Sequence, residues 1–339
     1  MFEQPPILKV EDVHTRILSA NGILHPVDGV SFELNAGETL GVVGESGSGK
    51  SLLALSLLNV LPKPSSEVIA GKVLFNGEDL LKKTQEGMRH IRGKDIAMIL
   101  QDPQTSLNPV FKVGHQILEA LTNHNRNAAP LANLRALAVD ALRRVGVSAP
   151  EMRYHSYPHQ MSGGMKQRSV GAIAISGEPQ VIIADEPTTS LDVTIQAQYL
   201  RLLREFQEQQ NLALLFITHD FGVVAKLCHR VMVMYAGRVV ETGPVLEIFD
   251  RPSHPYTQAL LNSVASLRNE MTRLPSIPGQ PPPLWDLPKG CRFAPRCPLA
   301  DGKCKAKYPE QVLLGSDETG THTASCWKAK ELHDAATVA

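Results

Sequence analysis

The sequence predicts an α/β fold with an inserted helical subdomain and a proline- and cysteine-rich C-terminal extension, and three observations carry that prediction. Short runs rich in Val and Ile recur between helical stretches: ILKVEDV from Ile7, TLGVVG from Thr39, KVLFNG from Lys72, DIAMIL from Asp95, VIIAD from Val181 and ALLFITH from Ala213. Strands alternating with helices are the pattern of an α/β sheet. Between Leu107 and Ser176 the pattern changes to longer helical periodicities, such as ILEALTNH and LANLRALAVDALRRVGV, with few strand signals. Finally, ten of the 47 residues from Pro252 to Pro298 are proline, which breaks regular structure repeatedly.

These observations set the expected organisation. A chain of 339 residues holds about two domains, here a larger α/β domain over 1–250, with its helical subdomain at about 107–176, and an extension over 251–339. The run VMVMYAGRVVETG from Val231 alternates around Ala236 and Gly237, so a hairpin is expected to close the sheet there. Lys plus Arg and Asp plus Glu both number 34, which argues against nucleic acid as the main partner, since phosphate neutralisation usually shows as a basic excess. The longest apolar stretch, Leu52 to Leu61, is interrupted by Ser56 and Asn59 and falls short of the roughly 20 residues of a membrane span. The N-terminus, MFEQPPILKVEDV, lacks a basic patch leading into an apolar run, so no secretory signal and a cytosolic chain are expected.

Gly44-Glu45-Ser46-Gly47-Ser48-Gly49-Lys50-Ser51 matches the phosphate-loop pattern, and it stands between the strand TLGVV and the helix SLLALSLLNVL. The glycines let the backbone curl so that successive N–H groups face a phosphate, and the following helix adds its positive end. Lys50 is then expected on the β- and γ-phosphates of a nucleotide and Ser51 on magnesium. VIIADE, Val181 to Glu186, reads as a buried strand ending in two carboxylates, the end of the sheet where α/β folds place ligands. Asp185 is expected to face the magnesium and Glu186 the attacking water. Taken alone, the pair is also readable, as the lesser alternative, as a simple cap for the next segment.

Four further motifs follow in order: Gln101 in ILQDPQTSLNP, MSGGMKQR from Met161, SLD at Ser190 to Asp192, and His219 in ITHD. With the phosphate loop and VIIADE, they make the chain resemble the ATP-binding subunits of ABC transporters over residues 7–245. The resemblance implies that Gln101 is the glutamine loop, completing the metal shell. It makes Ser162, Gly163 and Gly164 the signature that contacts ATP bound by an opposite subunit, Asp192 the D-loop, and His219 the switch histidine at the γ-phosphate. It also implies an ATPase that uses ATP and Mg2+ and works as a dimer. The chain departs from the family pattern at Met161 and Met165 in the signature. It also departs where an aromatic usually stacks adenine, a position taken by Ile17 with His14 and His25 nearby; no Phe, Tyr or Trp lies between Phe2 and Phe32.

Beyond residue 245, RPSHPYTQALLNSV, the IPG at Ile277 and GCRFAPRCPLADGKC resemble the C-terminal extension of dipeptide and oligopeptide importer ATPases of the D type. That resemblance implies peptides as cargo, or nickel or another small solute. It also implies two transmembrane permeases, a solute-binding protein, a second, homologous ATPase subunit, and a peripheral place on the cytoplasmic face of the inner membrane. The rival class is a soluble ABC ATPase of DNA repair or translation. Translation-type members usually carry two ATP cassettes in one chain, and this sequence has a single set of motifs. Repair ATPases put long coiled coils between phosphate loop and signature, whereas only 110 residues separate Ser51 from Ser162 here, without sustained heptads. Cys291, Cys297, Cys304 and Cys326 follow the spacing C-x5-C-x6-C-x21-C. In a reducing compartment this clustering suggests metal before disulfide. Paired knuckles typical of zinc are absent, which leans toward iron–sulfur, and the resemblance implies a [4Fe-4S] cluster; zinc and four unligated thiols stay open. Cys228 reads as a small core residue.

Overall fold

The computed structural model describes residues 5–124, 131–189, 191–263, 276–317 and 320–337. Its strands, in chain order, are β1 (Leu8–Ser19), β2 (Gly22–Leu34), β3 (Thr39–Val43), β4 (Ser66–Phe75), β5 (Glu78–Asp79) and β6 (Ile96–Ile99), followed by β7 (Val181–Asp185), β8 (Ala213–Ile217), β9 (Arg230–Tyr235), β10 (Arg238–Pro244), β11 (Val312–Asp317) and β12 (Gly320–Ala324). The chain divides into two compact units, one of residues 1–35, 39–81 and 218–339 and one of residues 36–38 and 82–217.

The first unit joins the N-terminal strands, the phosphate loop and the described residues of the extension. An antiparallel sheet runs β2-β1-β4-β5, and a second set of strands runs β11-β12-β10-β9-β3, with β9 parallel to β3. Every residue of β3 is buried, as its unbroken apolar sequence requires of a strand covered on both faces. The core around it gathers Val43, Phe221, Val224, Val231, Val233, Tyr235 and Ile248 with Tyr256 and Phe293 of the extension. Tyr235, Tyr256 and Phe293 pack ring against ring, with centroids 4.5–5.3 Å apart.

The hairpin expected at Ala236 and Gly237 is present. Both residues have positive φ, 45° and 88°, the geometry of a two-residue turn that matches strand twist. It does not close the sheet, however. β12 pairs with β10, placing Glu241 opposite Ala324 and Thr242 opposite Thr323, and β11 lies outside it. The sequence gives little warning, because GTHTA is short and polar, the apolar start of VLLGSD is interrupted at Gly315, and the burial of β12 rests on His322 and Ala324. β2 likewise carries Pro26 and Gly29, which mask its alternation; Val30, Phe32 and Leu34 nonetheless bury in turn.

The second unit has β8, β7 and β6 side by side and parallel, and every residue of β7 and β8 is buried. Its principal helices are Val113–His124, Leu131–Arg144, Gly163–Ile175 and Val193–Gln210. The last two begin where side chains cap them: Ser162 accepts from Met165 N at 3.3 Å, and Asp192 accepts from Thr194 N and Ile195 N at 3.1 and 3.0 Å. No helix among the described residues is long and apolar enough to cross a membrane.

Candidate functional site

The first unit carries the phosphate loop. Gly44, Gly47 and Gly49 all have positive φ, 153°, 79° and 103°, and two of them are sterically required. A Cβ on Gly44 would lie 2.2 Å from the Met234 carbonyl oxygen and one on Gly49 would lie 1.9 Å from that of Pro26, whereas Gly47 meets nothing within 4 Å. The loop is thus pressed onto its own unit on one side and open at Gly47. Helix Lys50–Leu57 follows directly. Lys50 is 5% exposed and its Nζ donates to the carbonyls of Gly44 and Glu45 at 2.8 and 3.0 Å and approaches Ser48 Oγ at 3.4 Å. The ammonium therefore lies inside the loop curl. Ser51 stands in the first turn. His219 is exposed in the same unit, directly before Asp220, which caps helix Phe221–Leu227 through Gly222 N and Val223 N.

The extension grips this loop, which the sequence did not reveal. Arg296 makes a two-pronged contact with Glu45, Nη1 to Oε2 at 2.6 Å and Nη2 to Oε1 at 3.0 Å, and Tyr256 Oη accepts from Glu45 N at 2.7 Å. The Arg296 side chain is 3% exposed. Arg292, four residues earlier, donates to Asp28 and to the Ala236 carbonyl. Arginine's planar fork suits such bidentate recognition. The signal in the sequence was only two arginines within GCRFAPRCP.

The second unit carries the carboxylate set. Asp185, 4% exposed, ends β7. Glu186 follows with φ of 45°, a left-handed conformation that a non-glycine residue holds only when its surroundings fix it. Its N–H donates to the Ile217 carbonyl at 2.9 Å, while its Oε2 accepts from Gln101 Nε2 at 3.1 Å and from Thr189 Oγ1 at 3.0 Å. The structure thus brings together Gln101 and Glu186, 85 residues apart, and adds Thr189. Ser162, Gly163 and Gly164 open helix Gly163–Ile175, with Ser162 and Gly163 exposed. Asp192 serves as a helix cap; Ser190 of the same motif lies outside the described residues.

Ile17, expected in place of the adenine-stacking aromatic, is half-buried in β1, paired with Leu24 and Ser66. His14 is held between Asp28 and Asp12, at 2.9 and 3.0 Å. An aromatic does reach the β1–β2 turn, but from the extension: Trp285 is 51% exposed, and its Cβ lies 3.8 Å from where a Cβ on Gly22 would stand.

All four clustered cysteines line a single cavity, together with His254, Phe293, Leu299 and Trp327. None is in a disulfide. Burial pushes the thiols of Cys291 and Cys297 up and that of Cys326 up to about 12, so thiolates there need a positive partner. His254 Nδ1 accepts from Tyr256 N at 3.0 Å, which leaves its buried Nε2–H with no hydrogen-bond partner. Burial lowers this imidazole's pKa to about 3. Cys228 is separate, packed 2.9 Å from where a Cβ on Gly41 would lie.

Comparison with known proteins decides among the classes. The profile of the ABC transporter family matches residues 27–189, and that of the oligopeptide/dipeptide transporter C-terminal region matches residues 240–304. A probable peptide ABC transporter ATP-binding protein, y4tR, of Sinorhizobium fredii is 48% identical over 96% of both chains. The chain belongs to the ABC transporter ATPase family. The dipeptide transport ATP-binding proteins DppD of Bacillus subtilis and Escherichia coli are 46% and 45% identical, covering 95% and 91% of this ATPase and 94% and 93% of their own lengths. Among solved structures, CbiO1 of Clostridium perfringens, part of the transporter complex CbiONQ, matches with TM-score 0.61 and 28% identity over 73% of this chain and 91% of its own. The dimeric ATP-binding cassette MJ0796 with ADP and phosphate shares the fold, at TM-score 0.64 and 24% identity over 70% and 98%. This ATPase therefore has the α/β cassette fold expected of it.

Proposed function

We propose that this ATPase powers the import of dipeptides or oligopeptides, as a peripheral subunit on the cytoplasmic face of the inner membrane. The observation that carries the reading is the extension: its match to the oligopeptide/dipeptide transporter region falls on residues that build one core with the phosphate-loop unit. Two transmembrane permeases, a solute-binding protein and a second, homologous ATPase complete the assembly. Adjacent exposed apolar side chains at Val110 and Phe111, 70% and 46% exposed, support a protein partner for the helical subdomain at about 107–176. The division into a cassette over 1–250 and an extension over 251–339 belongs to the same proposal.

The roles follow from what phosphoryl transfer requires, which is charge neutralisation and a placed water rather than covalent chemistry. In this reading the loop from Gly44 to Ser51, with Glu45, Ser46 and Ser48, presents N–H groups to the phosphates. Lys50 exchanges its loop carbonyls for the β- and γ-phosphate oxygens, and Ile17 touches the base. Ser51, Asp185 and Gln101 offer only oxygen donors, the set that suits magnesium. Glu186 accepts a proton from water and His219 meets the γ-phosphate. The Gln101–Glu186 hydrogen bond supports a shared task for these two groups. Ser162, Gly163, Gly164 and Asp192 act on ATP held by the partner ATPase, so turnover depends on a dimer.

The cysteine cavity fits a [4Fe-4S] cluster, with Cys291, Cys297, Cys304 and Cys326 as its ligands. Four thiols around one space make a complete set, and the unpartnered His254 N–H is a donor for a sulfide. Among the described residues, the donor atoms brought within 4.8 Å of one another are those of another group, not three of these sulfurs. That is wide for a single zinc ion, with sulfur bonds of about 2.3 Å. The cluster would staple a segment with little regular structure.

Vesicles holding this ATPase with its permeases, partner ATPase and binding protein test the functional reading. Peptide uptake is expected only with internal ATP, and peptide is expected to stimulate hydrolysis. Uptake without ATP, or hydrolysis indifferent to every peptide while another solute stimulates it, overturns the peptide assignment. Anaerobic purification with metal analysis tests the cluster: four irons per chain are expected, and a colourless, iron-free protein overturns it.

A further inference from the structure

Away from both the ATP motifs and the cysteine cavity, three side chains from distant parts of the extension and its neighbouring helix converge. Glu247 lies on helix Val245–Asp250, His322 on β12 and His333 on helix Ala329–Thr337. His322 Nδ1 and His333 Nε2 each stand 3.9 Å from the same oxygen, Glu247 Oε2, and the two rings lie 5.4 Å apart. The three donor atoms all lie within 4.8 Å of one another.

The orientation of His322 points to what the cluster is for. The residue is 1% exposed, and its Nε2 lies 2.9 Å from Oε1 of Glu241. Glu241 is fully buried and also accepts from Ser253 N at 2.6 Å and His254 N at 3.0 Å. A carboxylate so held accepts a hydrogen bond, so Nε2 carries the proton that is donated to it and Nδ1 presents its lone pair to Glu247. Nδ1 is buried with no hydrogen-bond partner. The result is a nitrogen lone pair facing a carboxylate oxygen, which is repulsive unless something positive lies between them. A direct hydrogen bond does not close the gap, because 3.9 Å exceeds the reach of an N–H···O bond of about 3.2 Å. A cation does. With the three donors so spaced, a point exists within about 2.5 Å of each, close to the roughly 2.0–2.2 Å of zinc–imidazole and zinc–carboxylate bonds.

We propose that Glu247, His322 and His333 form a site for a divalent transition-metal ion, best suited to zinc, that fastens the last helix and the β11–β12 hairpin to helix Val245–Asp250. Two imidazoles and one carboxylate are borderline donors that select zinc over magnesium or calcium. Glu241 supplies the outer carboxylate that commonly orients a metal-bound histidine. The fold makes room for it: a Cβ on Gly243 would stand 3.0 Å from His322 Cδ2. Two further charges border the site. Arg251 Nη1 is 3.8 Å from Glu247 Oε2 and competes with the ion, and Asp334 Oδ1 is 3.7 Å from His333 Nδ1 and supports it. Three protein ligands leave a fourth position for water.

The test is titration of the purified full-length chain, its cysteine metal left in place, with Zn2+ and with Co2+ as a spectroscopic probe. One equivalent is expected to bind, with a cobalt spectrum lacking any sulfur-to-metal charge-transfer band, and to raise the thermal midpoint. His333→Ala and Glu247→Gln, at partly exposed positions, should each weaken binding by roughly 10²-fold and abolish the thermal shift, while ATP hydrolysis continues; losing even an outer-sphere partner typically weakens a metal site 10–100-fold. Cys297→Ser should leave the affinity unchanged. Zinc binding that ignores both His333→Ala and Glu247→Gln, that vanishes with Cys297→Ser, or that is absent from the wild type overturns the proposal.

Discussion

The phosphate loop and the cysteine loop lie in one compact unit and touch through Arg296 and Glu45, yet they are built on opposite plans. The phosphate loop is contiguous: eight residues, Gly44 to Ser51, hold both the geometry and the chemistry, and helix Lys50–Leu57 follows at once. The cysteine loop is assembled. Its four thiols span 36 residues, its aromatic wall comes from Phe293 and Trp327, and its histidine comes from residue 254. A contiguous site tolerates changes elsewhere, whereas an assembled site fails when any contributing segment shifts. The Arg296 fork links the two, so the extension bears on the ATP site without supplying a residue to the motif.

That contrast can be broken from either end. The largest expected effect is at the contiguous site: Lys50→Ala should weaken ATP binding by roughly 10²-fold, the scale of removing one partner of a buried charge contact, and leave metal content at the cysteines unchanged. Calorimetry with ATP beside iron analysis checks both. Next, Cys297→Ser should empty the cysteine cavity of iron and lower the thermal midpoint by several degrees, as expected where metal binding is folding energy. Because Arg296 precedes Cys297, the KM for ATP should rise as well, and an unchanged KM would show that the fork is set by the core alone.

Arg296→Met cuts the link itself. It leaves Glu45, 27% exposed, without its buried cation, at a cost of about 2 kcal/mol, below the 3–5 expected for a fully buried pair. Pairing it with Glu45→Gln should restore much of that loss, which a double-mutant cycle by denaturant melts measures. The smallest effect is expected at Trp285→Ala. If this side chain beside Gly22 shelters the adenine, the KM for ATP should rise a few-fold, with GTP affected less. Fluorescence of Trp285 on nucleotide addition gives the direct reading.

The same contrast explains what was legible in the sequence. All six expected Val- and Ile-rich strands are present: β3, β7 and β8 are buried along their whole length and so continuously apolar, while β1 buries alternate residues over much of its length. The phosphate loop was legible because its steric demands are local, as Gly44 and Gly49 show. The order of the motifs named the family. What the sequence hid was pairing between distant segments: β12 on β10, Arg296 on Glu45, His322 on Glu241, and Trp285 beside Gly22. Arg296 and Trp285 are single side chains within irregular stretches, where neither period 2 nor period 3.6 marks burial, and β12 is a five-residue strand whose alternation is carried by only His322 and Ala324. Glu186 lies between these cases, since its position after Asp185 was readable but its positive φ and its bond to Gln101 were not.

The central claim is that Glu186 activates the water that attacks ATP. Its most direct measurement is single-turnover hydrolysis by Glu186→Gln in the assembled transporter, with bound nucleotide quantified in parallel. The substitution keeps size and polarity while removing the base, so hydrolysis should fall by about 10² or more and ATP should stay bound. Hydrolysis near the wild-type rate, with ATP bound equally well, would contradict the assignment.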